Sequence, residues 1–411
     1  MGGGGQLEHY DVDRANAALY ACFAVVGYAA GGITNLLGIK LTLFIGCLGY
    51  VLYAGSLLSY NISRNGGFVI ASGALLGVTA GMLWAAQGAI MMSYPTPKAK
   101  GRYLSLFWAI FNIGGVMGGI IPLILNLNNN GAGSISNETY IAIISVMFLG
   151  TLLSLLMLPP SRVIRDDGTP VGTAQFPDWR AEVKEIARLA TNWKLLALAP
   201  MCFSSNFYYT YMFNAVNGFY FNVRTRSLNN VIFWSVQIVG AGVFGYFLDS
   251  KLITNDRSRA LLGFFLACLI VIPTWIGGVI FQLTFDRYQT PIGADWFDTG
   301  YGRLLTLFAL YGLNDALWQV YCFWLMGKLT DDPQKLSHYA GFNKGVQAAG
   351  GAVAWAIDGA GITYRTQVVA NCVLLLTSIP FTIAVITKIF NQPVAVNEKR
   401  LRLEGLRENI E

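Results

Sequence analysis

The sequence predicts an all-α protein that crosses a lipid bilayer many times, and three observations carry the prediction. Hydrophobic residues make up 54% of the 411 positions and charged residues only 12%, more apolar surface than soluble cores can enclose. About eleven stretches of the chain reach the roughly 17 to 25 mostly apolar residues that a helix needs to span the hydrocarbon layer. Lys and Arg alternate in density from loop to loop, with 20 on one side and seven on the other, the asymmetry that marks a cytosolic face.

In order, the predicted spans lie near 17–38, 41–60, 67–92, 103–126, 140–158, 195–221, 230–249, 259–283, 302–327, 336–358 and 366–389. They cluster as five and six around the longest polar stretch. The expected organisation is therefore an extracytosolic segment over 1–16, a first bundle over 17–158, a cytosolic linker over 159–193, a second bundle over 194–390 and a cytosolic tail over 391–411. The linker opens with PPSRVIRDDGTP, whose turn-formers end the preceding helix. Further on, Trp179, Val183, Ile186 and Ala190 recur at helical spacing opposite Arg180, Glu182, Lys184, Glu185 and Arg188. That pattern fits an interfacial amphipathic helix or a solvated connector. The only two N-x-S/T sequons, at Asn61 and Asn137, both fall on the sparsely charged side, which makes them glycosylation candidates and agrees with the sidedness. The expected location is the plasma membrane or an endomembrane, with the C-terminus in the cytosol.

The same residues argue against an enzyme. Cysteines 22, 47, 202, 268, 322 and 372 sit inside apolar runs without CxxC spacing, as small buried hydrophobes rather than a disulfide framework or zinc site. His9 and His338 have no metal-ligand spacing around them, and no G-x-S-x-G elbow is present. Gly2 to Gly5 lack the Lys-Ser or Lys-Thr of a phosphate loop. No cofactor or metal is expected. The basic loops do not interleave aromatics, so no nucleic-acid partner is expected either. The N-terminus, MGGGGQLEHYDVD, has no signal-peptide pattern, and Gln6 occupies the position where a myristoylation signal has Ser or Thr.

An internal repeat organises the spans. Sliding the first half by 214 positions pairs Asn16 with Asn230, Tyr20 with Trp234, Val25 with Val239, Gly31 with Gly245 and Asn35 with Asp249. Leu83-Trp84 echoes Leu317-Trp318, and Gly114-Gly115 echoes Gly350-Gly351, at slightly larger offsets. Two parallel six-helix halves around a site at mid-membrane are the plan of major facilitator transporters. The stretch Gly31-x3-Asn35-x2-Gly38-Ile39-Lys40 resembles a degenerate form of that superfamily's loop signature, with Gly245-x3-Asp249 as its second-half counterpart. The blocks YMFNAVNG, SYPTPKAKGRYLSLFWAIFNIGGVMGG, YGLNDALWQVYCFWLMGK and YAGFNKGVQAAGGAVAWAID narrow the resemblance to the fungal branch of the uncoordinated-ninety-three-like family. The resemblance implies a major facilitator-type fold of two helical bundles related by pseudo-two-fold symmetry, here with about 11 transmembrane helices (5 + 6). Family members usually carry a helix resembling Met212 to Gly218 before the GGGGQ loop, so the expectation is a member lacking helix one.

Charged or polar groups at membrane depth are costly and face the bundle interior or a wet cavity. Asp315 and Lys344 are the two charged candidates. Asp315 shares its helical neighbourhood with Asn314, Trp318 and Gln319, and Lys344 shares a face with Gln347. A pair between them requires Lys344 to stretch, and such a pair could either pin two helices together or serve a solute or proton. Asn206, Thr210 and Asn217 form a polar stripe, with Asn214 on its flank; in the first half Trp84 and Gln87 lie one turn apart and Asn112 interrupts the next span. The resemblance places these helices around a central cavity. The alternative is that each amide only hydrogen-bonds a neighbouring helix, for about 0.6 kcal/mol. Gly73, Gly77 and Gly81, with Gly114/Gly118 and Gly115/Gly119, make small-xxx-small packing runs. The leading expectation is a carrier of a small solute or ion. The resemblance also implies an alternative, a non-transporting regulator or trafficking adaptor of an ion channel or receptor, for which the partner is a membrane protein.

Overall fold

The structure is a computed structural model that describes residues 10–96, 99–125, 137–165, 167–171, 179–250, 253–330 and 332–390. Residues 1–9 of the expected N-terminal segment and the whole 391–411 tail lie outside the described residues. Within them run α1 (Tyr10–Leu37), α2 (Ile39–Ser63), α3 (Gly66–Ser93), α4 (Lys100–Leu125), α5 (Asn137–Ser154), α6 (Trp179–Leu189), α7 (Trp193–Thr210), α8 (Val223–Leu248), α9 (Asp256–Gln282), α10 (Tyr301–Gly327), α11 (Pro333–Gly359) and α12 (Tyr364–Phe390). Each of the eleven predicted spans is a helix, and the linker supplies the other, α6. α7 runs directly into a π-helical segment, Tyr211–Phe219.

Local sequence explains where these helices start and turn. Asn65, Asn192, Asn222 and Asn255 stand at the N-caps of α3, α7, α8 and α9, each accepting a backbone N–H from the first turn. A single residue, Gly38, joins α1 to α2 with φ +79°, a conformation that a side chain would strain. Pro122, Pro200, Pro273 and Pro380 lie inside helices, which membrane-spanning helices tolerate because neighbours satisfy the freed backbone groups.

Among the described residues seven helices are long and apolar enough, by length and composition, to cross a membrane: α1 to α4, α8, α9 and α12. The others fall short for physical reasons. α5 has a shorter apolar run, Tyr140–Ser154. α10 and α11 carry the polar residues at 314, 315, 319, 343, 344 and 347, and α10 is buried continuously from Asn314 to Gly327, so its polar groups meet protein and not lipid. The outer helices present apolar side chains instead, among them Leu149, Leu153, Ile276, Ile280 and Leu376. The chain is a multi-pass membrane protein.

The helix pairing is the same in both halves. α1 packs on α3 and α8 packs on α10; α2 packs on α3 and α5, as α9 packs on α10 and α12. The halves meet where α1 crosses α11 and α4 crosses α8. This is the pseudo-symmetry that the 214-residue repeat predicts. At the first crossing Gly27 and Gly31 lie against Gly341 and Gly345: a Cβ on Gly345 would stand 2.7 Å from the Tyr28 nitrogen, and one on Gly341 2.8 Å from the Gly27 oxygen. These two small-xxx-small pairs let the backbones touch, and sequence reasoning missed them as a pair. Of the runs it did name, Gly73 packs on the Ala15 carbonyl and Gly77 on Leu19 and Cys22 of α1, while Gly115 and Gly119 meet Trp234 and Val231 of α8; Gly114 and Gly118 face open space.

The linker helix α6 packs against α1 and α11, and Tyr28 Oη donates to the Ile186 carbonyl at 3.3 Å. Its buried face consists of Leu189 and, in part, Ile186, whereas Val183 and Ala190 are exposed. The side of α6 that carries Leu189 and Ile186 is the one turned toward α1 and α11.

Candidate functional site

α7, α10 and α11 converge on the two charges at membrane depth. Asp315 is fully buried and accepts hydrogen bonds from Tyr208 Oη (2.8 Å), Tyr209 Oη (2.6 Å) and Gln319 Nε2 (3.4 Å). All three partners donate, which suits an ionised carboxylate that can only accept. Lys344 Nζ donates to Gln347 Oε1 at 2.6 Å and lies over the rings of Trp84, Phe323 and Trp108 at 4.4, 5.0 and 5.9 Å, where ring quadrupoles stabilise a cation.

Lys344 does not stretch to Asp315. Gln347 Nε2 donates to Gln319 Oε1 (2.9 Å) and Ser205 Oγ (2.7 Å), and Gln319 donates onward to the carboxylate. The result is a relay from Lys344 through Gln347 and Gln319 to Asp315. Each amide turns its oxygen toward the ammonium and its N–H toward the carboxylate, the polarity that ionised ends impose on a chain of dipoles.

Beside the relay lies a cavity of about 220 Å³ between the two halves, lined by residues of α1 to α4, α7, α8, α10 and α11. Five of the residues singled out from the sequence line it: Trp84, Asn206, Gln319, Lys344 and Gln347. The Trp84 indole donates to Tyr50 Oη at 2.9 Å and packs edge-on to Phe111 at 5.0 Å. Sequence reasoning missed the aromatic walls contributed by Tyr20, Tyr50, Trp108, Phe111, Tyr209 and Trp234. An aromatic residue in a membrane span reads as an ordinary apolar position, so nothing in the sequence separates these from lipid-facing rings.

The other singled-out residues lie elsewhere. Gln87 borders a separate space of about 10 Å³ with Trp84 and Gln319, room for about one water molecule. Asn112, Thr210 and Asn314 are buried, and their side-chain polar atoms have no hydrogen-bond partner among the described residues. The Trp318 indole donates to the Met201 carbonyl at 3.3 Å. Asn214 and Asn217 follow the point at which α7 changes to π geometry. The i→i+5 bonding there widens each turn, so the stripe drawn at α-helical spacing breaks after Thr210. Asn214 Nδ2 instead donates to Asp358 Oδ2 (2.9 Å), and Asn217 is tied to the Arg226 carbonyl (3.2 Å) and to Asn229 (3.0 Å).

The two loop signatures occupy equivalent places. Gly31 packs on Ser337 and His338, and Asn35 Oδ1 accepts from Ser337 Oγ at 2.9 Å, near the start of α11. Gly245 packs on Gly101 and Ser105, and Asp249 Oδ2 accepts the Arg102 N–H at 2.8 Å, capping α4 of the opposite half with negative charge at a helix N-terminus. Lys100 Nζ adds a 2.7 Å bond to the Gly327 carbonyl at the end of α10. Gly38 and Lys40 are exposed beyond this seam. One end of the cavity is therefore shut by contacts between the halves.

The opposite end is pinned within the second half. Arg287 bonds Asp358 through Nη1 (2.6 Å) and its carbonyl through Nη2 (2.8 Å), and Gln367 donates to the same carboxylate (2.8 Å). In the adjoining loop Asp295 is bound by Arg224 Nε (2.6 Å), Asn222 and the Phe297 N–H (3.1 Å). Partial burial pushes the Asp295 carboxyl up, but the Arg224 and Asn222 donors outweigh it and hold the group below the usual carboxylate range. The sequon residues meet at this end as well, Asn61 Nδ2 donating to Asn137 Oδ1 at 2.6 Å.

Comparison with known proteins places this architecture. The sequence model of the ion channel regulatory protein UNC-93 family matches residues 3–278. The chain is 43% identical to UNC93-like protein 1 of Arabidopsis thaliana over 389 residues, which is 94% of this chain and 84% of that one. The chain belongs to the UNC-93 family. An UNC93-like protein of Schizosaccharomyces pombe is 40% identical over the whole chain and 80% of its own length, so this UNC-93 chain has a fungal relative of the kind the sequence blocks suggested. Among solved structures, a crystal structure of the Escherichia coli fucose:proton symporter FucP superposes with a TM-score of 0.62 at 12% identity, covering 92% of this chain and 91% of that one. The fold of this UNC-93 protein is thus of the major facilitator type.

Proposed function

We propose that the chain is a carrier that moves a small solute by rocking its two halves around the central cavity, with proton coupling through Asp315. The observation that carries the reading is the relay from Lys344 to Asp315 beside a cavity lined by both halves. A pair kept only to pin helices would gain most from direct contact, whereas here the two amides of Gln347 and Gln319, both lining the cavity, separate the charges. Protonation of Asp315 would remove the polarising end of the relay. Asp249, Asn35 and Lys100 act as the latch at the shut end, and the Lys and Arg distribution supports a cytosolic position for it. The bundles are taken as 17–158 and 194–390, joined by the 159–193 linker, and the protein performs no covalent chemistry.

The family description favours a second reading, a regulator or trafficking adaptor of a channel or receptor. Reconstitution separates the two. Purified full-length protein in vesicles loaded with a pH-sensitive dye is expected to acidify the lumen when one member of a metabolite panel is added outside, and Asp315→Asn to abolish the proton signal. A stoichiometric membrane-protein partner on purification, with no flux for any solute, would support the adaptor.

A further inference from the structure

We infer that the central cavity selects a compact aromatic monocarboxylate, its carboxylate meeting Lys344 and its ring held between the aromatic walls; this rests on the carrier reading and names its solute class. The charge argument comes first. Among the described residues Lys344 is the one ionisable cation lining the cavity, and no Asp or Glu lines it. Among the described residues its hydrogen-bond partner is Gln347, and three ring faces lie against it, so the ammonium retains N–H donors beside the space. Asp315 is absent from the lining, and its oxygens are taken up by Tyr208, Tyr209 and Gln319. The cavity therefore offers a positive site whose counter-charge is turned away, which attracts an anion and repels a cation.

The walls decide the rest. Eight of the fifteen lining residues are aromatic, and rings pack best on rings in offset or edge-on contact. The glutamine amides are already engaged in the relay, so beside Lys344 the polar groups left to a solute are chiefly the Asn206 amide and the Tyr20 and Tyr50 hydroxyls, fewer than a polyol needs. A sugar would bring many hydroxyls that find no partner, and unpaired polar groups in a closed site cost affinity steeply. One cation suits one negative charge. The volume of about 220 Å³ falls below the roughly 300–1,000 Å³ of pockets for drug-sized ligands, which suits a compact solute such as a single ring with a short acid side chain.

The test is equilibrium binding to the full-length protein in lipid nanodiscs, followed by tryptophan fluorescence, with benzoate, phenylacetate and 3-phenylpropionate compared with their primary amides and with benzylamine. At least one acid is expected to bind more than tenfold tighter than its amide, and benzylamine not to compete. Lys344→Gln should erase the acid-over-amide preference while changing amide binding less than threefold, and Lys344→Arg, which keeps the charge, should retain the preference and control for folding. Amides or the amine binding as tightly as the acids, no acid binding, or a preference surviving in Lys344→Gln would each overturn the inference. Flux in vesicles reads the carrier question separately. An acid that binds through Lys344 without being exchanged would end the carrier reading and leave the acid site standing. Exchange of a neutral or cationic solute, with no acid bound, would do the reverse.

Discussion

Replacing both ends of the buried relay measures how strongly the two charges sense each other. Lys344 and Asp315 are joined through two amides and three hydrogen bonds. Over about 10 Å at an effective dielectric of ~20, their attraction is roughly 1.7 kcal/mol. Direct buried pairs behave differently, losing about 3–5 kcal/mol when one partner is removed. Asp315→Asn reverses at least one bond, because an amide nitrogen must face a tyrosine hydroxyl that now donates to a carboxylate oxygen, and it leaves Lys344 uncompensated; about 2–3 kcal/mol is expected. Lys344→Gln loses the other end. A double-mutant cycle on reversible unfolding of the full-length protein in mixed micelles should then give a favourable coupling of about 1–2 kcal/mol. Coupling above ~3 kcal/mol would mean a direct ion pair, and coupling indistinguishable from zero would mean that the glutamines do not connect the charges. Either result refutes the relay.

Other consequences are equally specific. Gly345→Leu would set a side chain against backbone atoms of Tyr28 and Ala24 and should lower stability by about 1–3 kcal/mol, whereas Gly114→Leu, facing open space, should change the melting temperature little; equal effects would contradict the crossing geometry. Because the folded-state value of Asp295 is depressed, its contribution is complete above about pH 4 and is lost as pH falls through the lower folded value. Hydrogen-exchange protection across Ala294–Phe297, taken relative to the intrinsic rate at each pH, should fall on acidification, and Asp295→Asn should flatten that dependence; an unchanged profile would exclude the role. The contact between the two sequon asparagines leaves room for a single glycan, so a glycosidase should remove no more than one from protein made in a eukaryotic host, and two would contradict the packing. Asp249→Ala removes the cap on α4, at about 0.5–2 kcal/mol, and should raise the reactivity of a cysteine introduced at Ser105, which is buried in the seam against Gly245; no change would mean that the cap holds nothing shut.

The helices were legible because their signal is long and repetitive. Eleven apolar runs and the Asn16/Asn230 register carried the two-half plan, and the register reappears as matching α1–α3 and α8–α10 contacts. Asp315 and Lys344 were legible too, since a charge inside a span stands out against lipid. Their connection was not: Gln319 and Gln347 sit 28 residues apart, and only the packing of α10 on α11 makes them consecutive. The partners of Asn214 and Asn217 were not legible, because a change from α to π geometry at Tyr211 leaves no mark in the hydrophobic pattern. The aromatic walls and the Gly27/Gly31–Gly341/Gly345 crossing are contacts between distant helices, and one-dimensional spacing does not encode which face meets which.

The rocking motion itself is most directly read as a distance. Lys40 and Lys335 are exposed on opposite halves at the latched end, so spin labels on cysteines placed there, with the six native cysteines replaced, report separation of the halves in the full-length protein. Two populations are expected in a bilayer: a short one dominant at neutral pH, and a longer one favoured by Asp249→Ala. A single distance, unchanged by that substitution, by acid and by every aromatic acid tested, would contradict alternating access in this protein.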